Sequence, residues 1–120
     1  MIIHQKLLTT IPAAADLAEA EGCFVKADGS LTAASATPAN VFGLIIHPAD
    51  KDAPLTVALP GFGGIVQVLS TSAVNPGDYL VPDTNGRAKV AATGTVLAVA
   101  VEAAPAGLVA ARLIQPVTIA

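Results

Sequence analysis

Thr95–Glu102 reads TVLAVAVE and Leu108–Ile114 reads LVAARLI, with Pro105-Ala106-Gly107 between them. Each stretch is a short apolar run rich in valine or leucine, too short for a stable helix and bounded by turn residues, which is the pattern of a buried or half-buried strand. Pro and Gly between them turn the chain, so the pair predicts a hairpin. Upstream the same alternation of short strand and turn repeats. Asp83-Thr84-Asn85-Gly86 is an Asn-Gly turn, whose positive φ angles suit these two residue types, and it joins Tyr79–Val81 to Arg87–Ala91. Asn75-Pro76-Gly77-Asp78 is a second turn. Ile65–Ser70 (IVQVLS), Leu55–Leu59 up to Pro60, and Val41–His47 (VFGLIIH) are further strand candidates, and Cys23–Ala27 leads into an Asp28-Gly29 turn. Gly61–Gly64 (GFGG) is a tight turn, Pro48–Pro54 a polar loop and Ser30–Asn40 an irregular connection. Turn signals at this frequency predict an all-β fold, a small sandwich or partly open barrel of short antiparallel strands, with one short helix at most.

The only helical candidate is Ala13–Glu21 (AAADLAEAE), barely two turns long and stopped by Gly22. A helix that short is marginal without tertiary support. Ahead of it, Met1–Pro12 is apolar with a β-branched bias and reads as an N-terminal arm or a first strand, ended by Pro12. Residues 13–120 then form a single β-rich domain.

Composition narrows the function. The chain has 120 residues, of which 53% are hydrophobic, 12% charged and 3% aromatic. Average domains carry about 25% charged residues, so half of the usual surface charge is missing. Mean hydropathy is +0.67, yet no apolar run approaches the ~18–20 residues that span a bilayer. Six basic residues against nine acidic ones give a net charge of −3, which is no electrostatic footprint for nucleic acid. Met1–Pro12 lacks the basic n-region and long apolar core of a signal peptide, and no basic amphipathic helix suggests a membrane surface, so neither is expected. The single Cys23 cannot form an internal disulfide and suits a reducing cytoplasm. Strands of Ala and Val bury little area per residue, and a weakly charged exterior leaves apolar surface for partners, so self-association is expected.

Chemistry is hard to find. His4 lies in the apolar leader and His47 ends a strand near Asp50 and Asp52, with no third metal ligand or nucleophile at useful spacing. Gly61-Phe62-Gly63-Gly64 lacks the Lys-Ser/Thr of a phosphate loop. Asp83-Thr84-Asn85-Gly86 opens like a calcium loop, but Gly94 stands where the bidentate Glu belongs. Serines 30, 35, 70 and 72 lack a nucleophile-elbow context. Glu102 and Arg112 read as a cross-strand ion pair. Cys23 has only Lys26 as a nearby cation, so a reactive thiol is not expected. These readings predict no catalytic, cofactor or metal site: a small, self-associating, non-enzymatic β-protein.

One ordered pattern adds to this. Pro76-Gly77-Asp78-Tyr79-Leu80-Val81 is followed by Asp83-Thr84-Asn85-Gly86-Arg87, then by Gly94–Ala104 (GTVLAVAVEAA) and Gly107–Leu113 (GLVAARL). Asp16-Leu17, Val41–Leu44 and Val57–Gly61 fit the same order loosely. The pattern covers about two-thirds of the chain and resembles the small capsid decoration (cement) proteins of tailed bacteriophages and prophages. That resemblance implies a compact β-rich protein, a trimer on the exterior of the virion capsid, made in the bacterial cytoplasm. Its implied partners are the phage major capsid protein and further copies of itself, with no cofactor, nucleic acid or membrane. It also implies an N-terminal arm that adds a strand to a coat-protein sheet. Ile2, Ile3, Leu7 and Leu8 are the expected anchors of such an arm, through main-chain pairing and apolar contact. The competing expectation is that these residues form a first strand in the protein's own core. Alternative functions are another virion component, a head fibre base or tail-associated protein, and a small ligand- or glycan-binding module. The last is disfavoured by the shortage of aromatic rings on which sugars stack.

Overall fold

A computed structural model of the chain describes residues 8–60 and 64–119. Among them are nine strands: Leu8–Pro12 (β1), Phe24–Val25 (β2), Gly43–His47 (β3), Pro54–Ala58 (β4), Ile65–Ser70 (β5), Tyr79–Pro82 (β6), Ala88–Val90 (β7), Gly94–Ala100 (β8) and Gly107–Ile119 (β9). They form two bodies. The first is a four-stranded antiparallel sheet in the order β1-β4-β3-β2, and the second a closed barrel in the order β5-β7-β6-β8-β9. The all-β expectation is met. The barrel is closed where sequence suggested a partly open one, because β9 pairs with β5 along its whole length, Ile65 opposite Arg112 through Ser70 opposite Gly107.

Side-chain alternation decides what each strand buries. In the sheet, Phe24, Leu44 and Ala58 point into the core shared with the barrel. Their neighbours Val25, Ile45 and Val57 point to the opposite face, under Ala13, Leu17, Ala20 and Cys23. In the barrel, Val66, Val68, Leu80, Ala98, Ala100, Val109, Ala111 and Leu113 fill the interior. A five-stranded barrel is narrow, which explains why alanine and valine replace aromatic rings in these strands.

The predicted helix at Ala13–Glu21 does not form. Its main chain bonds outward: Ala13 N–H donates to Ala53 O (2.9 Å), Leu17 N–H to Ala49 O (3.0 Å), and Asp52 N–H to Ala13 O (2.9 Å). Tight turns at Leu17–Ala20 and Ala20–Cys23 replace helical bonding. The apolar spacing of Ala13, Leu17 and Ala20 is nonetheless used, since all three are buried against the sheet. Tertiary burial has overridden a weak propensity.

The turns follow the sequence reading. Asn85 (φ 56°) and Gly86 (φ 75°) occupy the two left-handed positions of a type I′ turn, closed by Arg87 N–H donating to Thr84 O at 3.2 Å. Asn75–Asp78 closes through Asp78 N–H to Asn75 O, with Gly77 at φ 89°. Strand β9 runs beyond the expected Ile114. Between the pairs Val96–Val117 and Ala98–Leu113, β9 places Ile114, Gln115 and Pro116 opposite Leu97 alone. Pro116 is tolerated because a bulge asks for no ladder donor there.

Two glycines join the bodies. Gly22 (φ 83°) accepts from Leu69 N–H (2.9 Å) and donates to Ile45 O (3.0 Å), bridging β3 and β5. A β-carbon there would meet Leu69 N at 2.9 Å. Gly86 donates to Thr32 O at 2.8 Å, and a β-carbon would lie 2.7 Å from Phe24 O. The barrel's hairpin tip therefore docks on the β2 end of the sheet by backbone approach alone.

Candidate interaction surface

The groups with chemical potential are scattered by the fold. His47 is exposed at the end of β3. Among the described residues no group of three or more His, Cys, Asp or Glu converges as a metal site. His4 and Gly61–Gly63 lie outside the described residues. Asp83 belongs to the hairpin turn: its carboxylate accepts from Thr84 N–H (2.8 Å) and from the Thr71 hydroxyl (2.6 Å). The Thr71 hydroxyl, followed by the Thr84 amide and the charges of Lys89 and Arg87, holds the Asp83 carboxyl below its ordinary value. Arg87 returns to the same turn, bonding Thr84 O and the Thr84 hydroxyl. Cys23 is buried, and burial pushes its thiol up against a smaller downward pull from Arg87. That cation is supplied by the fold and not by the Lys26 that sequence proximity suggested. The expected Glu102–Arg112 pairing is corrected by register, which sets Arg112 opposite Val99 while Glu102 lies past the end of β8.

Asp83 also sits at the barrel's weakest joint. Strands β5 and β7 meet in parallel at one residue pair, Ser70 and Ala88. Side chains complete the seam. The Thr71 amide donates to Ala88 O (2.8 Å), the Thr71 hydroxyl to Asp83, and Val90 N–H donates to the Ser72 hydroxyl (3.1 Å).

Apolar surface is the more prominent feature. Leu8 begins β1 opposite Ala58 and is 40% exposed. It borders an open cleft of about 300 Å³ between sheet and barrel, lined also by Glu21, Ile45, Ile46, Ile65, Val66 and Gln67. A bulge in β3 creates part of this cleft. The pairs Ile45–Val57 and His47–Thr56 leave Ile46 as an extra residue. Ile65, at 56%, is the most exposed large apolar residue on the rim. Strand β1 is an edge strand: β4 takes one of its sides, and no described strand takes the other. Of the four expected anchors, only Leu8 is described, and Ile2, Ile3 and Leu7 lie outside the described residues. Neither edge nor cleft was legible in sequence, since both require knowing that β1 pairs with β4 and that β5 passes beside β3.

No family model matches the chain, and no curated protein matches it. Among solved structures, the chain is similar to the head fiber gp8.5 N base of bacteriophage phi29. The match has a TM-score of 0.65 and 24% sequence identity, and it covers 90% of this chain and 95% of that one. At that identity the likeness establishes a shared fold.

Proposed function

We propose that this chain is a non-enzymatic structural protein of a phage virion, bound to the outside of the head. The observation that carries the reading is the agreement of two independent likenesses. The ordered turn-and-strand pattern resembles head decoration proteins, and the fold matches a phage head fiber base over nearly the full length of both chains. Fold alone does not specify function. The surface supports the reading, with an exposed apolar cleft beside an edge strand. No nucleic acid, membrane or cofactor enters this role.

In this reading the chain acts as a symmetric oligomer, a trimer, that bridges neighbouring major capsid protein subunits. Residues 1–7 lead directly into edge strand β1, so Ile2, Ile3, Leu7 and Leu8 would reach the coat by strand addition. Main-chain bonds supply affinity and alternate side chains supply fit. Ordering such a segment costs about 1–2 kcal/mol per residue, which its apolar side chains must offset. Repetition over the shell reinforces each weak contact.

The phi29 likeness favours a second reading, in which the same body is the base of a head fibre and anchors an appendage without strengthening the shell. Head stability separates the two. Expanded, undecorated heads are incubated with the full chain or with a chain lacking residues 1–7, then sedimented and heated. A cement protein co-sediments and raises the temperature at which heads release DNA. A fibre base co-sediments and leaves that temperature unchanged. Loss of binding by the shortened chain, with its melting temperature intact, assigns the contact to the arm. Retained binding removes the arm from the account.

A further inference from the structure

The cleft between sheet and barrel holds more than apolar side chains, because one of its walls is a strand edge. Leu69 N–H donates to Gly22 O (2.9 Å) on the side of β5 turned away from β9. Main-chain groups alternate sides along an antiparallel strand, so the N–H and C=O of Ile65 and Gln67 point the same way as those of Leu69. Gln67 O agrees, lying 3.1 Å from a β-carbon built on Gly22. Strand β7 meets β5 only at Ser70, and no other described strand pairs with this side of β5. Ile65–Gln67 is therefore an open edge among the described strands, and it lines the cleft together with Leu8, Ile46 and Glu21. Glu21 is the only charged residue among the described residues of that lining.

A wall of this kind suits an extended segment that brings main-chain groups, apolar side chains and a cation. Residues 1–7 (MIIHQKL) have that chemistry: Ile2, Ile3 and Leu7 are apolar, Lys6 is basic, and there is no carboxylate. They also join the chain at the cleft, since Leu8 both begins β1 and borders the opening. Leu8 stands in one cross-strand row with Ala58, Leu44 and Phe24, whose side chains enter the core shared with the barrel, so it faces the barrel. The β1–β4 register, continued backward, sets position 6 opposite Pro60, which has no N–H to donate. Strand β4 therefore cannot carry the ladder back past position 7, whereas the edge of β5 in the same cleft offers both donors and acceptors. A segment tethered at the rim meets that edge at high effective concentration and without the rigid-body entropy cost that a separate partner pays.

We propose that residues 1–7 dock in this cleft of their own chain, alongside Ile65–Gln67, with Lys6 against Glu21 and the apolar residues against Ile46 and Ile65. Position 6 shares the face of Leu8 by strand alternation, which is the face turned to the cleft. The inference concerns the free chain and stands apart from the virion reading; within that reading, the coat sheet and β5 compete for one segment. Two measurements on the full chain test it, and neither uses phage heads, so failure here and failure of the virion reading are read separately. In the first, an equal mixture of unlabelled and nitrogen-15-labelled chain is treated with a water-soluble carbodiimide, which joins an amine to a carboxylate at contact distance. A Lys6–Glu21 link whose two peptides carry the same label supports the docking. Absence of that link overturns it, and a link of mixed label overturns it in favour of a second copy as the occupant. In the second, amide hydrogen exchange is followed by NMR. The Gln67 amide should be protected, and Lys6→Glu should speed its exchange by about five- to tenfold, as loss of one ion pair and gain of a like-charge contact would do. The Val68 amide, inside the β5–β9 ladder, should not change, which also verifies that the variant is folded. A Gln67 amide that exchanges freely in the unmodified chain, or one indifferent to Lys6→Glu, overturns the inference. If the variant fails to fold, the cross-link in the unmodified chain still decides.

Discussion

The sheet and the barrel solve opposite problems. The four-stranded sheet covers both faces, one with the barrel and the other with the Ala13–Cys23 segment, but leaves the edge of β1 open among the described strands. The barrel pairs its strands into a closed ring, yet leaves Ile65, Tyr79, Val101 and Leu108 exposed around its outside. An open edge offers main-chain hydrogen bonds and suits strand addition. An apolar face offers area and suits docking of a folded surface. On the proposed reading, the division gives so small a chain two ways to meet a neighbour: extension of the sheet at its open edge, and packing against the apolar residues outside the barrel.

The comparison breaks most easily at the shared core. Leu44 is fully buried on the sheet face that meets the barrel. Leu44→Ala should cost about 3–4 kcal/mol, with one cooperative transition by both circular dichroism and tyrosine fluorescence. Two separate transitions would mean that the bodies are independent. Gly86→Ala attacks the weld from the barrel side. The positive φ and the close approach to Phe24 O predict a loss of about 2–3 kcal/mol in denaturant melts. Thr32→Val acts on the sheet side of the same weld. The Thr32 hydroxyl is buried without a partner among the described residues. Replacing it with a methyl group should therefore stabilise the chain by about 1 kcal/mol, read from the denaturant midpoint.

The smallest effect is expected at the barrel seam. Thr71→Val removes the hydroxyl that bonds Asp83 and Ala88 O, for a loss of no more than about 1 kcal/mol at this exposed site. It should also let the Asp83 carboxyl rise toward its ordinary value of 3.8. The sign follows from linkage: a carboxyl lowered by folding contributes stability above its unfolded value and loses it as pH falls through the folded one. The seam contribution is thus present near neutrality and lost below about pH 4. Carbon-detected NMR titration of Asp83 in both chains checks it. An unchanged titration would show that Thr71 does not hold the carboxylate.

Local chemistry was legible in the sequence wherever it is short-ranged. Asp28-Gly29, Asn75–Asp78 and Asn85-Gly86 specify their turns through positive φ or side-chain caps, and each lies where it was expected. Strand β5 has the expected bounds, and β3, β4, β6 and β8 fall within two residues of theirs. Long-range pairing was not legible. Nothing in IVQVLS announces a parallel bridge to Ala88, and Gly22 looked like a helix stop when it is a bridge between two bodies. Ala13–Glu21 was read as helical from its residue propensity, which the burial of Ala13, Leu17 and Ala20 against the sheet overrode. Of the interaction surface, Leu8 was named as an anchor of the arm that the resemblance implies. The register that sets Arg112 between Val99 and Ile65 was invisible, because alternation tells which residues point outward only after pairing tells which strands are neighbours.

The central claim is that this chain is a head-bound structural protein, and the direct test is a binding isotherm to expanded, undecorated phage heads. The account predicts saturation at a fixed copy number per head, in a ratio to coat subunits set by the symmetry of the shell. Binding that never saturates, or no binding to any head offered, would contradict it.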